Sequence, residues 1–193
     1  MKAKLFFFVT LLFVSAQAIA QNFKIDAGHS SVQIEVERFG VVDVVGRFKD
    51  VQGTITYSAD DPSKTSANSV IKVDSYDANN IGGEDAVKSV AFLDAANYPE
   101  ISFKSKSNVT KEGQNFLVGD LTIHGVTNEI ELPYRIKGPL MDLPTQKQSI
   151  AFTASITINR QDYGVKFNRQ LPNGIKLVAD EVDITLTILA IAE

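Results

Sequence analysis

The sequence predicts an all-β fold of about eight antiparallel strands with one short helical insertion. Apolar and polar residues alternate with period two along most of the chain, turn-forming residues break the alternation at intervals, and helical spacing appears in one segment. Alternation this regular puts one set of side chains on each face of a strand, the pattern of antiparallel sheets with one face covered.

The chain opens on a segment that stands apart from the fold. Lys2 and Lys4 precede an apolar run over residues 5–14, and Ala18, Ile19 and Ala20 form a small-x-small site before Gln21. Residues 1–20 are expected to be a cleaved signal peptide, since the run is too short to span a bilayer. Residues 21–193 are expected to form one domain. The chain has no cysteine, so no lipid acceptor stands at the cleavage site and no disulfide can form. The expected product is therefore soluble, without a stable membrane anchor, and held together by packing. It is expected in the periplasm, with secretion as the alternative. The signal carries two of the nineteen basic residues and none of the twenty-three acidic ones; the remaining seventeen against twenty-three leave a net charge of about −6. That balance argues against nucleic acid as a partner.

Strand phases follow in order. Val32, Ile34 and Val36 alternate with Gln33, Glu35 and Glu37; Ile71 and Val73 flank Lys72; Ile101 and Phe103 flank Ser102. Leu121 and Ile123 come next, then Ile130, Leu132, Tyr134 and Ile136, then Ile150, Phe152, Ala154, Ile156 and Ile158, and finally Val182, Ile184, Leu186 and Ile188. Turns are expected at Phe39-Gly40, Gln52-Gly53, residues 60–63, Glu112-Gly113, residues 125–128, Gly138-Pro139 and residues 172–174. Helical spacing of Val87, Val90 and Ala91 marks residues 84–93, with Tyr98-Pro99 as a stop. A sheet of this size must hide its edges. Closure into a barrel removes them, and a sandwich is the alternative.

The residues offer little for catalysis. His29 lies between Asp26 and Ser30, but triad members normally converge from separate segments, and three polar residues this close suit a strand entrance. His124 precedes Gly125 at an expected turn, with no second histidine at ligand spacing. Asp60, Asp61, Asp74, Asp77, Glu84 and Asp85 lack the progression of an EF-hand loop, and Gly82-Gly83 is no phosphate-binding fingerprint. No enzymatic activity, cofactor or metal is expected.

Five blocks carry a resemblance: residues 23–36 (FKIDAGHSSVQIEV), 45–53 (VGRFKDVQG), 97–103 (NYPEISF), 119–132 (GDLTIHGVTNEIEL) and 158–164 (INRQDYG). In this order the chain resembles the YceI-like family over nearly all of residues 21–193. The resemblance implies a lipocalin-like eight-stranded antiparallel β-barrel with a short helical insertion. It also implies a periplasmic protein whose lumen holds a polyisoprenoid or similar lipid, such as a quinone-like molecule, for storage, transport or sequestration. Two departures stand out. Gly83-Glu84-Asp85-Ala86-Val87 occupies the stretch where many members carry Arg-Asp-x-His-Leu, and Arg38 stands where a histidine often precedes the first turn. Recognition of a ligand head group is expected to differ here.

Under this reading the inward phase supplies the candidate lining: Val32, Ile34, Val36, Phe48, Ile55, Ile71, Val73, Phe103, Leu121, Ile123, Leu132, Ile156, Ile158, Ile184 and Leu186. Phe39 and Phe92 are candidate gates at the mouth. Arg38, Arg47, Lys88, Arg160, Lys166 and Arg169 are candidate partners of an anionic head. Burying one isoprene unit contributes roughly 3 to 4 kcal/mol. Two other readings compete: a structural or stress-related exported protein that binds a partner through its surface, and a hydrolase built on His29. A homodimer stays open at this stage.

Overall fold

The computed structural model describes residues 20–193, so the expected signal peptide, apart from Ala20, lies outside the described residues. Strands run at β1 (Gln21–Ile25), β2 (Ser31–Arg38), β3 (Val42–Phe48), β4 (Val51–Tyr57), β5 (Ser66–Lys72), β6 (Tyr76–Asp77), β7 (Glu100–Lys111), β8 (Gln114–Ile123), β9 (Val126–Asp142), β10 (Lys147–Asn159) and β11 (Glu181–Ala192). Helix α1 spans Ile81–Lys88.

These segments build a closed antiparallel barrel of eight strands, because two of the barrel strands are each broken in two. β1 and β2 both pair with β11, through Phe23 opposite Ala192 and Ile34 opposite Ile184. Between them the 3-10 turn Ala27–His29 bulges out, capped by the Asp26 carboxylate, which accepts from the Gly28 N–H at 3.0 Å. The Ser30 hydroxyl takes over the interrupted ladder there, accepting from the Leu189 N–H at 3.0 Å. β3 and β4 likewise form one strand bent at Lys49 and Asp50. The ring closes where β1 lies between β4 and β11.

Three expected turns are corrected. Gln52 and Gly53 sit inside β4, where a Cβ on Gly53 would overlap the Asn68 carbonyl oxygen. The glycine there serves close strand approach, not chain reversal. Gly138 and Pro139 sit inside β9, opposite a bulge between Ser149 and Ala151, and the true reversal comes at residues 143–146. The turn expected at residues 125–128 shrinks to His124 and Gly125, both at positive φ, with Ile123 and Val126 already paired. Two such residues match the twist of a tight hairpin.

The helix also begins earlier than expected, at Ile81 instead of Glu84. Asn80 caps it by accepting from the Gly83 N–H, while the Glu84 carboxylate accepts from the Ala78 and Asn80 N–H groups. This reciprocal capping outweighs the poor helix propensity of Gly82 and Gly83. At the other end Ser89 donates its hydroxyl to the Ala86 carbonyl, and residues 89–98 continue as turns.

The barrel's two ends differ in construction. One end, the floor, gathers the start of β1, the end of β11 and the connections at residues 58–65, 112–113 and 143–146. The other, the mouth, gathers the β2–β3 turn, residues 73–99 with α1, the His124–Gly125 turn and residues 160–180. Toward the mouth, β3 and β5 part company. The gap is bridged by β6, which pairs with β3 through Phe48 opposite Tyr76. The Tyr76 ring lies where a Cβ on Gly46 would be, 5.2 Å from the Phe48 ring.

Candidate ligand-binding cavity

Inward-facing residues change character along each strand. On β11, Ala192, Ala190 and Ile188 are buried, while Leu186, Ile184 and Val182, in the same phase, are only half-buried. β10 repeats this from Ile150, Phe152 and Ala154 to Ile156 and Ile158, and β2 from Val32 to Ile34 and Val36. Inward side chains that keep accessible surface must border empty volume. Here they surround a cavity of about 540 Å³ that runs from mid-barrel to the mouth, within the size range of small-molecule sites.

The floor is sealed. Phe23, Leu117 and Ala190 have no exposed surface, and the Tyr134 and Phe152 rings stack at 5.2 Å with their planes 10° apart. Above them the wall is mostly aliphatic and aromatic, with Asn68, Ser69, Asn80 and Ser102 as polar members. Among the described residues Arg38 and Arg160 are its charged residues, and no carboxylate, lysine or histidine lines it. Gly82, Gly83, Ala86 and Val87 of α1 cover one side of the mouth, and Phe92 meets Phe167 across it with ring centroids 4.7 Å apart.

Arg160 is committed to the fold. It starts the 3-10 turn Arg160–Tyr163, and its guanidinium donates to the carbonyls of Val165, Phe167, Val178 and Ala179 and to the Asp180 carboxylate at 2.9 Å. Burial pushes its pKa down, opposed by the charge of Asp180. The Asp180 carboxyl is held below its ordinary value, first by a hydrogen bond from Lys176 and then by Gln161 and Arg160. Arg160 therefore staples residues 160–180 over the mouth, and its charge is already paired with Asp180.

The sequence candidates fall mostly on the wall. Val32, Ile34, Val36, Phe48, Ile55, Ile71, Phe92, Phe103, Leu121, Ile123, Leu132, Ile156, Ile158, Ile184 and Leu186 all border the cavity. Val73 and Phe39 do not. Val73 sits in the 3-10 turn Val73–Ser75 that carries the chain out of the barrel, its N–H bonded to the Pro99 carbonyl. Phe39 turns outward at φ 59° and lies under the Arg38 guanidinium. Arg47, Lys88, Lys166 and Arg169 are also off the wall, Arg47 lying 3.8 Å from Asp77. Several wall residues escaped the sequence reading. Val44, Ile130, Phe152 and Val182 were accessible by extending the inward rows, whereas Tyr76 and the α1 residues carry no strand signal.

The catalytic and metal candidates are spread apart. His29 is exposed and bonds Asp26 at 2.7 Å, while the Ser30 hydroxyl is engaged with the Leu189 backbone. His124 packs on Tyr98 at 4.4 Å. Among the described residues no three histidine or acidic side chains converge on a metal-sized site.

Fold and cavity together define a lipocalin-like barrel with an apolar lumen open toward one end. The model of the YceI-like domain matches residues 23–190, and the chain belongs to that family. It is 30% identical to Protein YceI of Escherichia coli O17:K52:H18 over 184 residues, 94% of this chain and 92% of that protein. To Protein YceI of Salmonella agona it is 32% identical over 163 residues, covering 83% and 84%. Among solved structures, Burkholderia cenocepacia BcnA superposes with a TM-score of 0.74 at 23% identity, over 86% of this chain and 99% of that one. A polyisoprenoid binding domain from Saccharophagus degradans, implicated in plant cell wall breakdown, superposes at 0.66 with 14% identity, over 89% and 98%.

Proposed function

We propose that this protein is exported, loses residues 1–20, and works in the periplasm as a non-catalytic carrier or store for a polyisoprenoid or similar long apolar lipid. The carrying observation is the cavity: about 540 Å³ of volume walled mostly by aliphatic and aromatic groups and closed at one end. An apolar chain entering there loses contact with water along its length, at roughly 25 cal/mol per Å², less the ordering cost of a flexible chain. The relative from S. degradans, described as polyisoprenoid binding, supports the same ligand class.

Native mass spectrometry of protein purified from its own host tests the proposal. The expected result is a polypeptide beginning at Gln21 that carries an organic-extractable lipid. Leu186→Phe, which narrows the lumen, should weaken retention of the adduct and leave the unfolding midpoint nearly unchanged. Protein that neither retains nor takes up an apolar chain overturns the proposal.

A second reading, a surface partner, is favoured by one feature. Leu140, Met141 and Leu143 at the β9–β10 tip are 71%, 52% and 76% exposed, far from the cavity mouth. Exposed apolar clusters mark interaction sites. Charged substitutions at this tip that remove activity in the cell while leaving lipid loading intact would select that reading.

A further inference from the structure

The inward row of β2 runs Val32, Ile34, Val36 and then Arg38, the last position before the turn. Arg38 therefore borders the cavity at its rim by strand phase, as an extension of the apolar row. The other arginine on the wall, Arg160, is engaged by four carbonyls and has its charge paired with Asp180. Arg47, in the opposite phase, faces Asp77. Arg38 has no such carboxylate among the described residues; its guanidinium rests 4.1 Å above the Phe39 ring, a contact that orients a cation without neutralising it. Among the described residues no carboxylate, lysine or histidine borders the wall, and Arg38 is the one uncommitted charge a cavity ligand meets.

From this we infer that Arg38 selects the head group: the lumen takes amphiphiles whose apolar chain ends in an anionic head, a carboxylate or a phosphate, held at the rim. The inference rests on the carrier reading above. The N-terminus of α1, although it borders the cavity, is not the anion site. Asn80 already accepts from the Gly83 N–H, and the Glu84 carboxylate, held by the Ala78 and Asn80 N–H groups, places negative charge there. A guanidinium offers paired donors matched to carboxylate and phosphate oxygens, and a neutral alcohol cannot use its charge.

The test uses one chain with three heads: geranylgeraniol, geranylgeranoic acid and geranylgeranyl monophosphate, titrated into delipidated protein at low salt. Unaltered protein should prefer at least one anion over the alcohol by about three- to tenfold, as a charged hydrogen bond half in water allows. The two anionic arms show which head fits. The preference should shrink at high salt, fall to near unity in Arg38→Gln and reverse in Arg38→Glu. Since Arg38 is exposed, circular dichroism should show both variants folded. Equal affinity for all three heads, or a preference kept in Arg38→Gln, overturns the inference and leaves the carrier reading standing. Failure of all three to bind removes both.

Discussion

The floor and the mouth of the barrel are built from the same strands in the same inward phase, yet one is solid and the other hollow. On β11 six residues separate Ile184, which borders the cavity, from Ala190, which has no exposed surface. The difference lies in what reaches the axis. At the floor Phe23, Tyr134 and Phe152 project rings across the lumen, and two of them stack. Toward the mouth the inward rows on β2, β10 and β11 carry valine and isoleucine, such as Val36, Ile158 and Val182, whose short branches coat the wall without meeting. Stability and ligand capacity are thus assigned to opposite ends of one barrel, and the mouth is roofed by its loops in place of core side chains.

Truncation should separate the two ends most widely. Phe23→Ala removes a ring packed against Ile55 of β4 and Ala192 of β11 at the seam of closure. It is expected to cost about 3 to 5 kcal/mol in urea unfolding. Ile184→Ala, in the hollow half, should cost only about 1 kcal/mol, because its side chain has fewer neighbours to lose. Equal losses at the two positions would mean that the upper lumen is collapsed in solution.

Arg160→Met asks whether the roof depends on the staple. The substitution leaves the carbonyls of Val165, Phe167, Val178 and Ala179 without their buried donor and Asp180 with Lys176 as its remaining ion-pair partner. A loss of about 2 to 3 kcal/mol is expected. Hydrogen exchange should rise across residues 160–180 and hold steady in β8 and β9 near the floor. A uniform rise would show that the roof and the floor unfold as one unit.

How far these features were legible depends on what alternation encodes. It gives phase, so β10 and β11 and most of the wall were readable, and Val44 and Val182 would have followed from continuing the rows. It does not give radius. Nothing in Ile156 or Leu132 as letters says whether a partner meets them across the lumen, and the cavity itself became visible only in three dimensions. Turn residues misled where backbone crowding, not reversal, demanded them, as at Gly53 and Gly138. Arg160 stands in the sequence as a candidate head-group partner because its acceptors are mostly carbonyls, which leave no mark there. Tyr76 and α1 were beyond reach for a different reason: the gap they bridge exists only once β3 and β5 diverge on a closed barrel.

The smallest expected effect is a dependence on acid confined to the roof. Asp180 has its pKa lowered from 3.8, chiefly by the hydrogen bond from Lys176, with Gln161 and Arg160 adding to it against the opposing effect of burial. A carboxyl whose folded pKa lies below its unfolded one stabilises the fold fully above the unfolded value, and the contribution is lost as pH falls through the folded value. Exchange across residues 160–180 should therefore be flat from pH 7 to 5 after correction for intrinsic rates, and should rise only once pH passes below 3.8. Other carboxyls are lowered too, Asp26 by His29 and Asp77 by Lys49, so the whole barrel weakens in acid. Asp180→Asn isolates the local part, because it removes the titration at that position and leaves the others, Asp61 included. If the acid step in the roof persists unchanged in that variant, the charge of Asp180 is not what holds the staple, and the carbonyl acceptors of Arg160 carry the roof without it.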